Sequence, residues 1–537
     1  VNSTAGSGAA GPLRYDVVVV GAGLGGLYAI HRFRKQGLSV LCLEGGGGVG
    51  GVWYHNRYPG ARVDLESIDY CYYFDTDLYR DWDWSERYAT QPEILAYLNH
   101  VADRFDLRRH IRLNTWLKQA RWDGSRWQIR TDAGEAIEAR FVIMATGQLS
   151  AARMPDFAGL EDYRGEWVRT SHWPEREVAA KGRRIAVIGT GSSGVQVAPM
   201  LAQEAAHLHV FQRTPNYSVP AHNRPVDAEL MGSIRTDVQG VRSRLLTHMG
   251  GSHIDVAKHP AAHYTPAEIE ALLEKKWAVG GHGMNTIFTD QAIDQRVNDI
   301  VADFVRNKIR QIVKDPDIAE QLCPFDHPIG TRRLCVDTDY YAMYNRPNVT
   351  LVNVRREPIE RITPDGIRTA KQDYPFDLIV FALGFDAFTG QLDRADIRNQ
   401  AGARPHDRWD RGPRTLLGLM TSGFPNLFFP TGPGSPSVLA NLFLQNEYHI
   451  DWIADCIAWL DRNGHNAIDP TIEAEDAWTA HVAEVSAPIL RRHVRNYMAK
   501  FNEDGTHVFI PYVAGLNRYV KKADAIAAKG YEGFSFT

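Results

Sequence analysis

The 537-residue sequence is poor in usable cysteine: Cys42, Cys71, Cys323, Cys335 and Cys456 are odd in number, widely spaced and never in a CxxC pair. That dispersal argues against a disulfide scaffold, a zinc site or a dithiol active site, and it fits a reducing, intracellular setting. No metal site is expected. No apolar run approaches the roughly 18 residues of a membrane span, so no membrane partner is expected. The stretch 1–12 is rich in Gly, Ala and Ser and lacks the apolar centre of a signal peptide, so it reads as a flexible tail on a cytoplasmic protein. Nor does one sign of charge dominate. With 60 Lys and Arg against 64 Asp and Glu the net charge is -4, which provides no global field to gather nucleic acid. A 44% hydrophobic and 23% charged composition disfavours a disordered or fibrous chain, and the length has room for about three or four domains.

Glycine is plentiful, at 46 residues, and it clusters. The β-branched run Tyr15–Val20 leads into Gly21-Ala-Gly23-Leu-Gly-Gly26, then a helical stretch Leu27–Lys35, then a second strand Leu38–Leu43 ending in Glu44. Strand, glycine turn, helix, strand and acid follow in the order of a dinucleotide-binding βαβ unit. The grammar returns at Arg184–Ile188, Gly189-Thr190-Gly191-Ser192-Ser193-Gly194, a helix to about Ala206, and the strand Leu208–Phe211. Two units imply two dinucleotides. Glu44 suits the ribose hydroxyls of FAD or NAD, whereas Gln212-Arg213-Thr214 offers a cation in place of an acid and favours the 2'-phosphate of NADP.

Two further apolar runs, Phe141–Gly147 and Phe376–Phe385, return the chain beside the first strand of each unit. Between about Pro220 and Pro328 the pattern turns helical, with Ala267–Lys276 and Ile293–Ile312 flanking the glycine-rich Val279–Met284. A third glycine-rich turn, Thr431–Ser437, feeds a helix expected over Val438–Leu460. The expected fold is α/β: two Rossmann-like dinucleotide-binding domains, for FAD and NADP, with a helical insertion. The expected divisions are an FAD domain over 13–150 and 377–537, an NADP domain over 151–220 and 328–376, and an insertion over 221–327.

Two such units could belong to a pyridine nucleotide-disulfide reductase, but that class needs a redox dithiol. What remains is a flavoprotein that takes hydride from NADPH and passes electrons to another acceptor, with oxygen the obvious one. Here the residues carry a resemblance. Gly50-Gly-Val-Trp-Tyr-His-Asn-Arg-Tyr-Pro-Gly60, continuing to Asp64, is similar to the flavin fingerprint of the type I Baeyer-Villiger monooxygenases. Ser67–Tyr72, Gln91–Leu95, Ala145–Leu149, Gly330–Leu334 and Gly432–Ser437 extend the likeness over nearly the whole chain, closest to the phenylacetone and steroid monooxygenase branch. Two places depart from the family pattern. In the FxGxxxHxxxW fingerprint, Tyr163 replaces Phe and Arg169 replaces His, with His172 nearby but out of register. In the late loop Asn496-Tyr497 stands where relatives carry Trp-Tyr.

The resemblance implies that NADPH reduces FAD, oxygen adds at the flavin C4a, and the peroxyflavin attacks a ketone to give a tetrahedral adduct that rearranges to an ester or lactone. Negative charge gathers on oxygen at each step, so a cation that never loses its proton is wanted, and Arg333 matches the family's catalytic arginine. Asp64 orients it, Arg332 helps read the NADP phosphate, and Arg62 reaches the nicotinamide nucleotide. By the same resemblance Gly51, Val52, Trp53, Tyr58, Tyr70 and Leu117 stand at the flavin, Thr214 beside the second nucleotide, and NADP+ stays bound through the oxygen steps. Leu65, Leu149, Val438, Leu439 and Leu442 line an apolar pocket for a ketone whose size is open: aryl, cyclic or steroid-like. The expected assembly is a monomer or weak oligomer. Two rivals stand beside this reading, a flavin N- or S-monooxygenase, which has no need of the Arg333 and Asp64 pair, and a flavin-binding protein that has lost catalysis.

Overall fold

The computed structural model describes residues 12–537, so all of the expected tail except Pro12 lies outside the described residues. Two sheets carry the architecture. In the first, the strand Leu13–Val20 lies between Val40–Leu43 and Ala136–Met144, all parallel, with Val17, Val18 and Val19 fully buried. Burial on both faces explains the unbroken β-branched run. Ala136–Met144 then leads an antiparallel meander with Trp127–Thr131 and Leu117–Trp122, and the late strand Leu427–Phe428 joins its end, so both ends of the chain build this sheet.

The second sheet is five parallel strands in the order Val349–Asn353, His207–Gln212, Arg184–Ile188, Leu378–Phe381, Glu166–Arg169. It repeats the logic of the first, since the strand after the glycine turn and a late returning strand flank the opening strand. The sheet pairing corrects one expected division. A boundary at 376/377 would cut Leu378–Phe381 away from its neighbours, whereas it hydrogen-bonds between Arg184–Ile188 and Glu166–Arg169 and belongs to the second sheet.

Both glycine turns open helices, Leu24–Lys35 and Ser192–Glu204. At Gly26 a β-carbon would run into the Gly21 carbonyl oxygen, and at Gly194 into that of Gly189. The third glycine of each motif is therefore demanded by the close packing of turn on helix. The expected helix at Val438 begins later. Ser437–Leu439 forms a short 3-10 turn, and Leu442–Asn463 starts after Asn441, whose side chain accepts from the Phe443 and Leu444 amides. Asn441 wins as the cap because its oxygen satisfies two helix-end donors that Pro436 and Ser437 leave open.

The region 221–327 holds five helices: Ala228–Thr236, Val238–Leu246, Pro266–Val279, Gln295–Ile312 and Pro316–Leu322. It is pinned to the first unit by Arg242, which bonds the fully buried Glu447 at 2.7 Å and Asp451 at 2.8 Å on the long helix Leu442–Asn463. The insertion therefore has a fixed seat over the space between the two sheets.

Candidate active site

One cavity of about 820 Å³ runs from the first glycine turn to the segment Ile329–Leu334. At one end Glu44, buried at the end of its strand, accepts from the Ala22 amide at 2.7 Å and the Gly46 amide at 2.6 Å. It ties two glycine loops together while its edge faces the cavity. Gly23 and Gly51 meet backbone to backbone beside it, a β-carbon on Gly23 lying 3.5 Å from the Gly51 Cα, so the chain leaves a bare cradle where a dinucleotide needs close approach. Around Gly191 nothing stands within 4 Å of where a β-carbon would project, and Ser192 and Ser193 line the cavity from that side. The two turns thus open toward one space from opposite sheets.

The flavin fingerprint forms the short helix Val52–His55. Trp53 donates its indole N–H to the Tyr70 hydroxyl at 3.0 Å, and both line the cavity with Val52 and Leu117. Tyr58, expected at the flavin, also packs into the core of the second unit and donates to Gln196 Oε1 at 2.8 Å, so it spans the boundary between the units. Arg62 is held by Glu86 and by the Tyr88 carbonyl, again at the cavity wall.

At the centre, Arg333 and Asp64 meet fork to fork: Nε to Oδ2 and Nη2 to Oδ1, each 2.7 Å, while Nη1 donates to the Val438 carbonyl at 3.3 Å. Burial would raise the Asp64 pKa, but the Arg333 charge and the nearby His282 imidazole outweigh it and hold the carboxyl far below its usual range. The same pairing overcomes burial at Arg333 and raises it further above ordinary arginine. Bidentate geometry of this kind fixes a guanidinium in space as well as in charge. Leu65, Leu149, Val438, Leu439 and Leu442 line the adjoining wall.

Arg332, the next residue back, turns the other way. Its Nε is buried with no partner, and burial, with Arg213 and Arg355 close by, lowers its pKa despite Asp326. Arg355 reaches Asp326 at 2.6 Å and the Thr214 hydroxyl at 3.0 Å. Three guanidiniums gathered around Arg332, one of them bonded to Asp326 and one donor left without a partner, are a donor set fitted to a phosphate. Thr190 donates to the Thr214 carbonyl at 3.0 Å and holds that edge together. Gly26, Gly189, Gly191, Gly194, Thr190, Arg213, Thr214 and Arg332 stand outside the cavity wall itself, shaping the turns and the cationic cluster behind it.

Comparison with known proteins places the chain in a family. The family model described as pyridine nucleotide-disulphide oxidoreductase matches residues 18–295. A 2-oxo-Delta(3)-4,5,5-trimethylcyclopentenylacetyl-CoA monooxygenase of Pseudomonas putida is 40% identical over 97% of this chain and 98% of its own, and a Baeyer-Villiger monooxygenase of Pseudooceanicola batsensis is 38% identical over 96% and 95%. A solved steroid monooxygenase bound to NADP superposes with a TM-score of 0.93 at 46% identity, covering 97% of this chain and 99% of that one. The chain belongs to the Baeyer-Villiger monooxygenase family. Its cofactors are FAD and NADP. The disulphide chemistry in the name of the matching model does not transfer to this family member, because all five cysteines are buried and unpaired.

Several site residues of this Baeyer-Villiger family member escaped the sequence reading. His282, inside the glycine-rich link of the insertion, lies 3.4 Å from Asp64 Oδ2, and no spacing rule connects the two. Arg355 becomes visible only because Val349–Asn353 pairs with His207–Gln212. The two family departures also find local accounts. Arg169 ends its strand and donates toward the Met154 sulfur, while His172 stacks on His55 of the fingerprint helix with ring centroids 5.0 Å apart, so a histidine still joins the linker to the flavin fingerprint. Asn496 closes its own turn, donating to the Arg491 and Val494 carbonyls and accepting from the Met498 amide. Among the described residues, no helix is long and apolar enough to cross a membrane.

Proposed function

We propose that this chain catalyses the oxygenation of ketones to esters or lactones, consuming one NADPH and one O2 per turnover. One oxygen atom enters the product and the other leaves as water, so that ketone, O2, NADPH and a proton give ester, water and NADP+. FAD, held at the Gly21–Gly26 turn, Glu44 and the Gly50–Asp64 fingerprint, supplies the electron transfer and oxygen activation when bound.

The protein's own part rests on the Arg333 and Asp64 clamp beside an apolar wall. Arg333 has five N–H donors; two go to Asp64 and one to Val438, Tyr497 stands beside the guanidinium, and the N–H groups that remain serve the oxygen on which negative charge develops. Because Asp64 is already paired, it steadies that positive field without offering a free acid or base. Leu65, Leu149, Val438, Leu439 and Leu442 exclude water and seat the hydrocarbon part of the ketone, which strengthens the electrostatic term. Arg213, Arg332 and Arg355 select the phosphorylated nucleotide by the fit of three cations to one dianion.

The observation that carries the reading is the bidentate Arg333 and Asp64 pair set between two dinucleotide turns. It is tested by giving the FAD-loaded enzyme NADPH, oxygen and a panel of aryl, cyclic and steroid-like ketones. Ester or lactone product is expected. An N-oxide or sulfoxide alone would replace it with the N- or S-oxygenating rival; a phenazine N-monooxygenase of Lysobacter antibioticus is 36% identical to this chain. Bound FAD without turnover on any substrate would mark the non-catalytic rival.

A further inference from the structure

Four arginine residues line the cavity, and their partners divide them. Arg333 is neutralised by Asp64 and Arg62 by Glu86. Arg394 sits exposed at the outer edge, where water solvates it, and Arg169 beside it ends a strand near the same edge. Arg491 is different. Its head lines the cavity on the side of Arg333, yet no carboxylate pairs with it among the described residues. Nε and Nη2 both converge on the Gly330 carbonyl oxygen, Nε at 2.8 Å, and Nη1 has no acceptor.

The turn that carries Arg491 is built to hold it there. The 3-10 turn Leu490–His493 is anchored to the insertion by the Leu490 amide, which donates to the Ala292 carbonyl at 2.9 Å. Asn496, standing where relatives have tryptophan, donates to the Arg491 carbonyl at 3.2 Å and closes the turn from behind. The bond to Gly330 fixes the guanidinium against the loop that also carries Arg333. Burial and the like charge of Arg333 lower the Arg491 pKa to about 10, with Tyr497 opposing, so it keeps its proton at neutral pH. Two guanidiniums and one carboxylate at the centre of the site leave an uncompensated positive charge against an apolar wall that includes Ile489. An unpaired cation in such a place is costly unless an anion meets it.

We propose that Arg491 is a substrate-reading residue, and that the preferred ketones of this enzyme carry a carboxylate which its Nη1 edge binds while the carbonyl lies at Arg333. This rests on the ketone-oxygenating reading above. The apolar leucines hold the hydrocarbon between the two ends, and the fixed separation of the two arginines selects the length of the acid.

The test uses keto acids of increasing chain length, from levulinic acid upward, with their methyl esters as uncharged partners. For the FAD-loaded enzyme, kcat/KM for at least one acid is expected to exceed that of its ester, chiefly through KM. Arg491→Gln should shrink this acid-to-ester ratio by about 10- to 100-fold, the value of one charge-assisted hydrogen bond, while Arg491→Lys should retain part of it. Calorimetric titration of oxidised, NADP+-saturated holoenzyme with the same compounds reads binding without turnover. Acid binding lost in Arg491→Gln supports the subsite even if no product forms, a result that would count against the proposed function alone. Equal handling of acids and esters by the unmodified enzyme, in both rate and binding, overturns the proposal. So does a variant whose KM for NADPH climbs while the acid-to-ester ratio holds, because Arg491 would then serve the nucleotide.

Discussion

Arg332 and Arg333 are neighbours in sequence and face opposite tasks in space: Arg333 closes a two-pronged bond with Asp64 in the cavity, and Arg332 points back toward Arg213 and Arg355. Arg332 lies in the bend that leads into the strand Cys335–Asp337, so one short segment can serve the reacting carbonyl with one side chain and the nucleotide phosphate with the other. The two functions should therefore separate by mutation.

Arg333→Ala removes a preorganised donor from the developing oxyanion and should lower ester formation by about 100- to 1000-fold. NADPH consumption should fall less than product, so the ratio of ester formed to NADPH used is the measurement. Arg333→Lys should remain impaired, since an ammonium cannot reproduce the fork with Asp64.

Arg332→Ala and Arg355→Ala should each raise KM for NADPH by about tenfold or more, with little change for NADH, because each removes one charge-assisted contact to the 2'-phosphate. Equal losses with both nucleotides would show that the cluster does not read that phosphate.

The central ion pair should not titrate across the working pH range. The folded pKa of Asp64 lies below its unfolded value of about 3.9, so its contribution is present above that pH and is lost only as pH falls through the still lower folded value. Arg333 is shifted upward and stays charged at the alkaline end. Asp64→Asn should accordingly depress activity by a similar factor at pH 6 and pH 9. A variant whose defect appears at only one of these pH values would place a titration in the pair.

A different group should give a slope. His253 caps the cavity-lining loop through Asp69, with Nδ1 2.6 Å from Oδ1 and its backbone amide 2.9 Å from Oδ2. Burial lowers its pKa, but the bond and charge of Asp69, aided by Glu66 and opposed by Arg244, raise it overall. The stabilisation is thus complete below about pH 6.5 and is lost as pH rises through the folded value. Thermal stability should fall as pH is raised through that region, and His253→Gln should flatten the slope.

The seat of the insertion can be tested in the same way. Arg242→Leu leaves Glu447 buried without its cation and should destabilise the protein by about 3–5 kcal/mol, seen as a lower melting temperature of the holoenzyme. Pairing it with Glu447→Gln, whose amide oxygen can still accept from the Tyr73 and Phe74 amides, should recover part of the loss, since no buried charge is then stranded.

Local physics made much of this protein legible in its sequence. A β-branched strand that ends in a glycine turn and a helix can hardly do anything else, because Gly26 and Gly194 occupy places where any β-carbon meets a carbonyl oxygen. The two dinucleotide units, the acid at Glu44, the cation at Arg213 and the fingerprint from Gly50 to Asp64 are of this kind, each encoded within a few dozen residues. Tertiary structure alone decided what those pieces face. The apolar run Phe376–Phe385 is legible as a strand returning beside Arg184–Ile188, but that Leu378–Phe381 also pairs with Glu166–Arg169, and so keeps the division between the units beyond it, depends on partners remote in sequence. The meeting of Asp64 with Arg333 and His282, the approach of Arg355 to Arg332, and the exposure of an unpaired Arg491 to the cavity likewise depend on contacts between distant segments. Backbone sterics and burial patterns act over neighbouring residues and so leave a periodic trace in the sequence; charge pairing across a cavity acts through space and leaves none.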